Sequence, residues 1–281
     1  MKIGLGSVQF GCDYGISNAS GRTPADEVAR ILSAARAAGI DTIDTAPLYG
    51  GSESALGLAG ISGFRIVTKT VKRDSGLSDA ENEARLRAAF AASLEKMGIA
   101  SCHALMFHEA RDLLSPCGPR LWGAAMELAG SGLAERVGVS VYDPASLELV
   151  LEKFEVGIVQ VPVNILDQRF LPMLPELKAR GVEVHSRSAF LQGLLLMGEP
   201  PAYFDRVRKI LDSIPEPRLA SALSFLKGCE GIDRIVVGVC SERELSEIVS
   251  MYGAVAPQAD WPAFRVDDES VINPSAWDFK R

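Results

Sequence analysis

The chain contains no uninterrupted apolar run that approaches the ~20 residues of a membrane-spanning helix. Its first residues, MKIGLGSVQFG, also lack the apolar core of a secretory signal peptide. No basic tract is longer than the pair Lys72-Arg73, and the net charge is −7. These absences predict a cytoplasmic protein for which neither a membrane nor a nucleic acid is the main partner.

Cysteine is scarce and scattered. The five cysteines are an odd number, and they form no C-x-x-C pair and no cluster with histidine. This pattern predicts reduced thiols and indicates neither a disulfide framework nor a metal site. The five are Cys12, Cys102, Cys117, Cys229 and Cys240.

Several known catalytic signatures are missing as well. The chain has no Gly-x-Gly-x-x-Gly fingerprint, which argues against a Rossmann domain. The segment GGSESALG lacks the Lys-Ser or Lys-Thr pair of a phosphate-binding P-loop. The Ser-His-Asp order with a nucleophile elbow is absent, and no two carboxylates stand paired in a way that indicates glycoside hydrolysis.

What the sequence does contain is a regular alternation of strand-like and helix-like segments. Apolar residues make up 47% of the 281 residues, which is enough for a sizeable core. Eight successive βα units favour an α/β fold of the closed (β/α)8 TIM barrel type over an open doubly wound sheet. The predicted strands are 3–10, 42–45, 65–70, 103–108, 137–142, 158–164, 182–186 and 234–240, and the predicted helices are 24–38, 52–58, 79–97, 119–130, 144–154, 171–179, 203–213, 218–227 and 242–252.

No linker-like segment divides the chain, so we expect one domain, 1–281, with its barrel core at about 3–252. Residues 256–281 follow as a tail that carries two of the three tryptophans and no periodicity. We expect this tail to be an ordered extension docked on the barrel.

Four side chains of different chemistry follow the ends of predicted strands. Asp44 and Tyr49 lie in the run DTAPLYG, Lys69 lies in IVTKT, and His108 ends LMFH. In a βα barrel the C-terminal ends of all strands face one mouth, so residues distant in sequence meet there. An acid, a phenol, an amine and an imidazole in one cleft predict a proton-transfer site. The ammonium group would lower the pKa of the phenol from its ordinary value of about 10.

The ordered motifs of this chain resemble those of the aldo-keto reductase superfamily over roughly residues 3–252. The matching segments are LGSVQFG, DTAPLYGGSESALG, VTK, MFH, VGVS, VQVPVN, LQGLLL and VVGV, one at each strand or just after it. The stretch VEVHSRSAFLQGLLLM and the closing INPSAW resemble a bacterial branch linked to surface-polysaccharide or sugar metabolism.

The resemblance implies a (β/α)8 enzyme that reduces an aldehyde or ketone with NAD(P)H, or runs the reverse oxidation. It implies that Tyr49 is the general acid and that Lys69 depresses the pKa of Tyr49. Asp44 would be the counter-ion of Lys69, and His108 would orient the carbonyl.

The resemblance also implies where the cofactor binds. Ser140 and Gln160 would hold the nicotinamide amide, although the family's usual asparagine after the serine is Val141 here. His185, followed by Ser186, occupies the position at which the family often stacks an aromatic ring on the nicotinamide. His185 would either stack there or form a hydrogen bond within the barrel mouth.

Towards the other end of the cofactor, Gly193 would let the loop approach the pyrophosphate. Gly238 and Ser241, before the last helix, would bind the adenosine-side phosphate, and Glu247 would contact the adenine. Glu244 would repel a 2′-phosphate if it points inward. NADH and NADPH therefore both remain open, with NADPH slightly favoured by the family's habit.

The substrate is expected to be a small polar carbonyl compound, such as an aldose or a sugar-derived aldehyde. Tyr14 and Trp122 are the principal expected contacts, with Phe10, Tyr49, Trp261 and Trp277 nearby. Two alternatives stay open at this point. One is a cofactor-binding regulatory subunit with little turnover, and the other is a lyase or epimerase that retains NAD.

Overall fold

The computed structural model describes residues 1–254 and 259–277. Its strands are β1 (Ile3–Gly6), β2 (Thr42–Asp44), β3 (Arg65–Lys69), β4 (Cys102–Phe107), β5 (Ala134–Ser140), β6 (Ile158–Pro162), β7 (Glu183–Arg187) and β8 (Arg234–Gly238). They form one closed barrel in which each strand runs parallel to the next and β8 pairs with β1. The predicted (β/α)8 TIM barrel is therefore confirmed.

Helices connect successive strands. They are α1 (Val8–Gly11), α2 (Ala25–Ala37), α3 (Ser52–Ala59), α4 (Asp79–Met97), α5 (Ala110–Leu114), α6 (Gly118–Gly130), α7 (Pro144–Lys153), α8 (Leu174–Ala179), α9 (Arg208–Ser213), α10 (Arg218–Gly228), α11 (Glu242–Gly253) and α12 (Glu269–Ile272). Short 3-10 turns lie at Leu171–Met173, Leu191–Leu196, Ala202–Val207, Trp261–Phe264 and Pro274–Ala276.

Local sequence signals set the ends of the longest helix. The hydroxyl of Ser78 accepts a hydrogen bond from the backbone N–H of Glu81, and the Glu81 carboxylate accepts one from the backbone N–H of Ser78. This capping box satisfies two N–H groups that the first turn of α4 would leave unpaired. The helix ends at Gly98, which adopts φ 65° and thus a left-handed conformation that glycine adopts without a steric penalty.

The barrel interior explains how one lysine reaches the mouth. Val67, Ala104, Met106 and Ile158 form a separate, fully buried apolar cluster. Side chains alternate between the two faces of a strand, so Lys69, two residues after Val67, points to the same side. As Lys69 is the last residue of β3, its side chain lies at the C-terminal end of the barrel.

The structure differs from the predicted elements in several places. The predicted first strand, 3–10, ends at Gly6, and the chain then forms the short helix α1, whose Gly11 packs closely against the loop that carries Tyr49. Helix α5 was not predicted. The predicted helices 171–179 and 203–213 each begin as a 3-10 turn before becoming α-helical.

The described part of the tail lies against the barrel. Gln168 Nε2 donates to the Trp261 carbonyl oxygen at 2.7 Å, and Val266 N donates to the Leu166 carbonyl oxygen at 2.9 Å. Val271 and Ile272 are fully buried. Residues 256–258 and 278–281 of the predicted tail are outside the described residues.

Among the described residues, no helix has both the length and the apolar character needed to cross a membrane. The same residues contain no group of three or more histidine, cysteine and acidic side chains arranged to hold a metal ion.

Candidate active site

A cleft of about 870 Å³ opens at the C-terminal end of the barrel, which is within the usual size range for a small-molecule or cofactor site. Each of the eight strands, or the residue that follows it, contributes to its wall. In strand order these residues are Gly6, Asp44, Lys69, His108, Ser140, Gln160, Arg187 and Gly238. The four predicted catalytic residues are therefore brought together, since Tyr49 lines the cleft as well.

Lys69 is the buried centre of this group. Its ammonium Nζ donates to both carboxylate oxygens of Asp44, at 2.7 and 2.8 Å, and to the Thr45 carbonyl oxygen at 3.0 Å. The side chain is 1% exposed, and a buried ammonium requires such partners because its desolvation is costly. Burial lowers the pKa of Lys69, while the negative charge and hydrogen bonds of Asp44 oppose that change.

Tyr49 presents its hydroxyl to the same ammonium group. Lys69 Nζ lies 3.3 Å from Tyr49 Oη and 5.0 Å from the centre of the ring. The backbone of Tyr49 is held by a close approach of helix α1, because a Cβ atom on Gly11 would lie 1.9 Å from the Tyr49 carbonyl oxygen. The orientation of the phenol thus depends on a glycine that is distant in sequence.

The pKa of Tyr49 does not move in the expected direction. Burial and the negative charge of Asp44 raise the pKa of Tyr49 well above its ordinary value, and the positive charge of Arg187 opposes the rise. The expectation that Lys69 lowers this pKa, with Asp44 as its counter-ion, did not include the burial of the phenol, which disfavours the charged form. Tyr49 is consequently protonated at neutral pH and available as a proton donor.

His108 stands edge-on to Tyr49, with the ring centres 5.9 Å apart and the planes at 87°. Burial, followed by the positive charges of Lys69, Lys72 and Arg187, lowers the pKa of His108 to about 3. The imidazole is therefore neutral at physiological pH. Its Nδ1 atom is buried and has no hydrogen-bond partner in the part of the chain that the structure describes.

Most of the predicted cofactor residues lie in the cleft wall, namely Ser140, Gln160, Gly193, Gly238 and Glu247. Gln160 already donates from Nε2 to Asp44 Oδ1 at 2.7 Å. Gly193 has φ 94°, and a Cβ atom there would come within 1.9 Å of Ser17 Oγ. A glycine at this position thus keeps the loop packed against Ser17.

Three predicted cofactor contacts do not line the cleft. His185 is fully buried inside the barrel and forms a 2.9 Å hydrogen bond between Nε2 and Glu183 Oε1. Ser186 is also fully buried, on the opposite face of the strand, where its hydroxyl donates to the Arg234 carbonyl oxygen. Ser241 is the N-cap of α11, and its hydroxyl accepts from Glu244 N.

Arg187 is the residue of β7 that lies at the mouth of the barrel. Strand side chains alternate, so Glu183, His185 and Arg187 share one face, and Arg187 is the last residue of the strand. The predicted residue, His185, lies on the same face of β7 as Arg187 but one layer deeper in the barrel. The Arg187 guanidinium lies 3.9 Å from the centre of the Tyr142 ring and donates to the Val141 carbonyl oxygen at 2.9 Å.

Only one of the two principal predicted substrate contacts lines the cleft, and it is Tyr14. Trp122 does not, because it lies in α6 and packs on the outside of the barrel with its ring centre 6.0 Å from that of Phe107 and 5.0 Å from that of Phe154. The other aromatic residues that were expected near the substrate, Phe10, Trp261 and Trp277, likewise pack against the apolar core rather than lining the cleft.

Sequence reasoning missed several residues that line the cleft. Beside Arg187, they include Tyr142, Gln192, Lys72 and Arg218. The alternation of β7 could have identified Arg187, as it stands two residues after a correctly oriented His185. The sequence contains no comparable signal for Gln192, because its φ of 54° belongs to an irregular turn that the motif LQGLLL does not indicate.

Comparison with known proteins agrees with this geometry. The family model described as the aldo/keto reductase family matches residues 2–263. The chain belongs to this family. Its members are NAD(P)-dependent oxidoreductases of small carbonyl compounds.

Three individual proteins illustrate the similarity. An L-galactose dehydrogenase of Arabidopsis thaliana is 30% identical over 196 residues, which are 63% of this chain and 59% of that relative. The holo form of an aldo-keto reductase from Bacillus halodurans superposes with a TM-score of 0.76 at 20% identity, over 94% of this chain and 90% of that one. A glycerol dehydrogenase from Gluconobacter oxydans gives a TM-score of 0.68 at 20% identity, over 100% and 94% of the two chains.

Proposed function

We propose that this protein reduces the aldehyde or ketone group of a small polar, sugar-derived compound, or oxidises the corresponding alcohol, with Tyr49 as the proton donor or acceptor. The observation that carries the proposal is the 3.3 Å approach of Lys69 Nζ to Tyr49 Oη inside the cleft. A phenol that is protonated at neutral pH can donate its proton to the carbonyl oxygen, because the ammonium next to it stabilises the phenolate that forms.

The wall of the cleft suits a nicotinamide dinucleotide. Ser140 and the side-chain oxygen of Gln160 offer hydrogen bonds to the carboxamide, and the buried Gln9 Oε1 has no partner among the described residues. The turn containing Gly193 and the segment after Gly238 would hold the phosphates. When bound, the dinucleotide supplies the hydride that reduces the carbonyl carbon, or accepts it in the reverse direction.

Side chains of the protein would carry out the proton transfer. Tyr49 Oη donates to the carbonyl oxygen as that atom gains charge. Lys69 then stabilises the phenolate, since its ammonium is already directed at Tyr49 Oη, and Asp44 fixes the position of the ammonium. The neutral imidazole of His108 can donate one further hydrogen bond to the carbonyl oxygen without carrying charge into the cleft.

We further propose that the protein prefers NADH to NADPH, against the habit that the family resemblance suggested. Glu244 lines the cleft near the start of α11, and its Oε2 atom accepts a 2.8 Å hydrogen bond from the backbone N–H of Cys240. A fixed carboxylate there would accept a hydrogen bond from a ribose hydroxyl but would repel a 2′-phosphate. Arg243, the neighbouring cation, is not among the residues that line the cleft.

The polar wall supports a hydroxylated substrate. Asn18, Ser17 and Gln192 line the cleft beside Tyr14 and Tyr142. Two of the similar proteins carry names of dehydrogenases that act on L-galactose and glycerol. A polyhydroxy aldehyde or its alcohol fits these hydrogen-bonding groups better than a long apolar carbonyl compound would.

The test is turnover by the purified protein. NADH oxidation should be measured with glyceraldehyde, several aldoses and 4-nitrobenzaldehyde, together with the reverse reaction of NAD⁺ with the matching alcohols. We expect turnover of at least one polyhydroxy substrate, with the reduced product identified by mass. Tight binding of the dinucleotide without consumption of any carbonyl compound would contradict the proposal and would favour a regulatory role.

A further inference from the structure

Arg187 is a half-buried cation in the cleft that has no acidic partner among the described residues. The buried cation of the site, Lys69, is neutralised by Asp44, and Arg218 forms ion pairs with Asp212 and Glu216. Among the residues that the structure describes, Arg187 forms no ion pair with a carboxylate, and its hydrogen bonds go to the Val141 carbonyl oxygen and Ser188 Oγ. A guanidinium has five N–H donors, so most of its capacity is unused.

The position of Arg187 is fixed rather than free. The guanidinium stacks on Tyr142 at 3.9 Å and is anchored by the 2.9 Å hydrogen bond to the Val141 carbonyl oxygen. Such a planar group, held in one orientation, matches the two oxygens of a carboxylate or a phosphate. A side chain that served only to cover the barrel would not need to present unpaired donors to a cavity.

Arg187 also lies within electrostatic reach of the chemical centre. Its charge lowers the pKa of His108 and opposes the rise in the pKa of Tyr49. Lys72 also lowers the pKa of His108 and lines the same cleft, although it is paired with Glu109. The end of the cleft around His108 is therefore positive in a protein whose net charge is −7.

The carboxylates that line the cleft are placed elsewhere or are already engaged. Asp44 is bound to Lys69, Glu216 pairs with Arg218, and Glu244 accepts from Cys240 N. Glu247 lies in α11, which follows β8. Among the described residues, none of the acidic side chains that line the cleft is paired with Arg187.

We propose that Arg187, assisted by Lys72, binds an anionic group of the substrate, so that the preferred carbonyl compound carries a carboxylate or a phosphate in addition to its aldehyde or ketone. This inference rests on the proposed oxidoreductase function and narrows its substrate class to sugar acids, sugar phosphates and related carbonyl acids. Arg187 is thus a specificity-determining residue, whereas proton transfer remains with Tyr49.

Two pairs of aldehydes test the proposal and separate the two kinds of anion. Butanal and succinic semialdehyde differ by a carboxylate, and glyceraldehyde and glyceraldehyde 3-phosphate differ by a phosphate. For each pair, kcat/KM is measured with saturating NADH. We expect the anionic member of at least one pair to be preferred about tenfold or more, the size expected of a charge-assisted hydrogen bond, with the preference falling as salt is raised.

The variant Arg187→Gln should bring the ratio of kcat/KM for the anionic member to kcat/KM for the neutral member close to one, mainly by raising KM for the anionic member. Arg187→Lys should keep part of the preference for the anionic member, because lysine supplies the positive charge without the planar guanidinium group. Lys178→Gln is the matched control. It removes the same charge from an exposed position in a different cavity, so it should leave the preference intact.

The dissociation constant of NADH, measured by fluorescence for each variant, distinguishes a substrate role from a cofactor role. Equal kcat/KM for neutral and anionic aldehydes in the wild type would overturn the proposal while leaving the proposed oxidoreductase function in place. A preference that survives in Arg187→Gln, or a loss confined to NADH binding, would also overturn it. If no aldehyde of either charge is turned over, the proposed function fails first.

Discussion

Gln160 Nε2 and Lys69 Nζ both donate to the same carboxylate oxygen, Asp44 Oδ1, each at 2.7 Å. The carboxylate therefore joins β2, β3 and β6 across the barrel mouth. One N–H of the Gln160 amide is committed to Asp44, so its second N–H and its side-chain oxygen remain for a nicotinamide amide. The buried charges of Asp44 and Lys69 are thus held in one geometry by a neighbour that is itself part of the cofactor wall.

The pKa values of His108 and Tyr49 predict a flat pH profile for carbonyl reduction. His108, with a pKa lowered to about 3, is neutral from mildly acidic to alkaline pH, and the raised pKa of Tyr49 keeps the phenol protonated. We expect kcat/KM to show no acid limb near the ordinary histidine pKa of about 6.5 and no alkaline loss below about pH 10. An acid limb near 6.5 that disappears in His108→Gln would contradict the assignment of a neutral imidazole.

The opposite end of the barrel should control acid stability. Glu183 accepts hydrogen bonds from His103 and His185 and pairs with Arg136. Burial acts to raise the pKa of Glu183, but the hydrogen bonds and charges of His103 and His185 outweigh it and lower the pKa. A carboxylate with a lowered folded-state pKa stabilises the protein above its unfolded pKa of about 4.3 and loses that contribution as the pH falls below it.

Glu183→Gln should therefore reduce the free energy of unfolding by about 3 kcal/mol near neutral pH, since it breaks a buried charged network. Its melting temperature should also fall less steeply than that of the wild type below about pH 4.5. The exposed Glu176→Gln is the control and should follow the wild-type curve. Parallel curves for Glu183→Gln and the wild type would show that the network contributes nothing to pH dependence.

Helix α1 is expected to position Tyr49 through a backbone contact. In Gly11→Ala the new Cβ would lie 1.9 Å from the Tyr49 carbonyl oxygen and 2.4 Å from Ser52 N, so the loop must shift. We expect a loss of about 1–3 kcal/mol in stability and at least a tenfold fall in kcat, because small displacements of a proton donor are costly. Gly51→Ala, whose Cβ would meet nothing within 4 Å, should leave both values nearly unchanged.

Cofactor preference should respond to the charge at Glu244. Glu244→Arg should lower the dissociation constant of NADPH about tenfold or more, since a carboxylate is replaced by a group that can pair with the 2′-phosphate. Glu242→Arg makes the same charge change on the same helical turn, outside the cleft lining, and serves as the control. Tighter NADPH than NADH binding in the wild type, measured by fluorescence titration, would refute the proposed preference.

The barrel and the four central residues could be predicted from sequence because both depend on repeating local patterns. Each buried strand is short and apolar, and Asp44, Lys69 and His108 fall at the ends of three such strands. The helix over 79–97 was predicted to the residue, because Ser78, Glu81 and Gly98 mark its ends chemically.

Other features depend on tertiary contacts that local patterns do not encode. The sequence after Gly6 resembles a continuing strand, and its contacts with the loop that carries Tyr49, such as that of Gly11, are visible only in the folded chain. Trp122 was expected at the substrate, yet it packs from α6 against Phe107. The direction of the Tyr49 pKa shift depends on how deeply the phenol is buried, which the predicted pairing of Asp44 with Lys69 does not supply.

The central claim is that the Tyr49 hydroxyl supplies the proton in carbonyl reduction. The most direct measurement is the single-turnover rate of NADH oxidation by Tyr49→Phe, with the dissociation constant of NADH measured on the same preparation. The account predicts a fall of about 10²-fold to 10⁴-fold in this rate, as expected for loss of a general acid, with NADH binding unchanged. A single-turnover rate within a few-fold of the wild type would contradict the account.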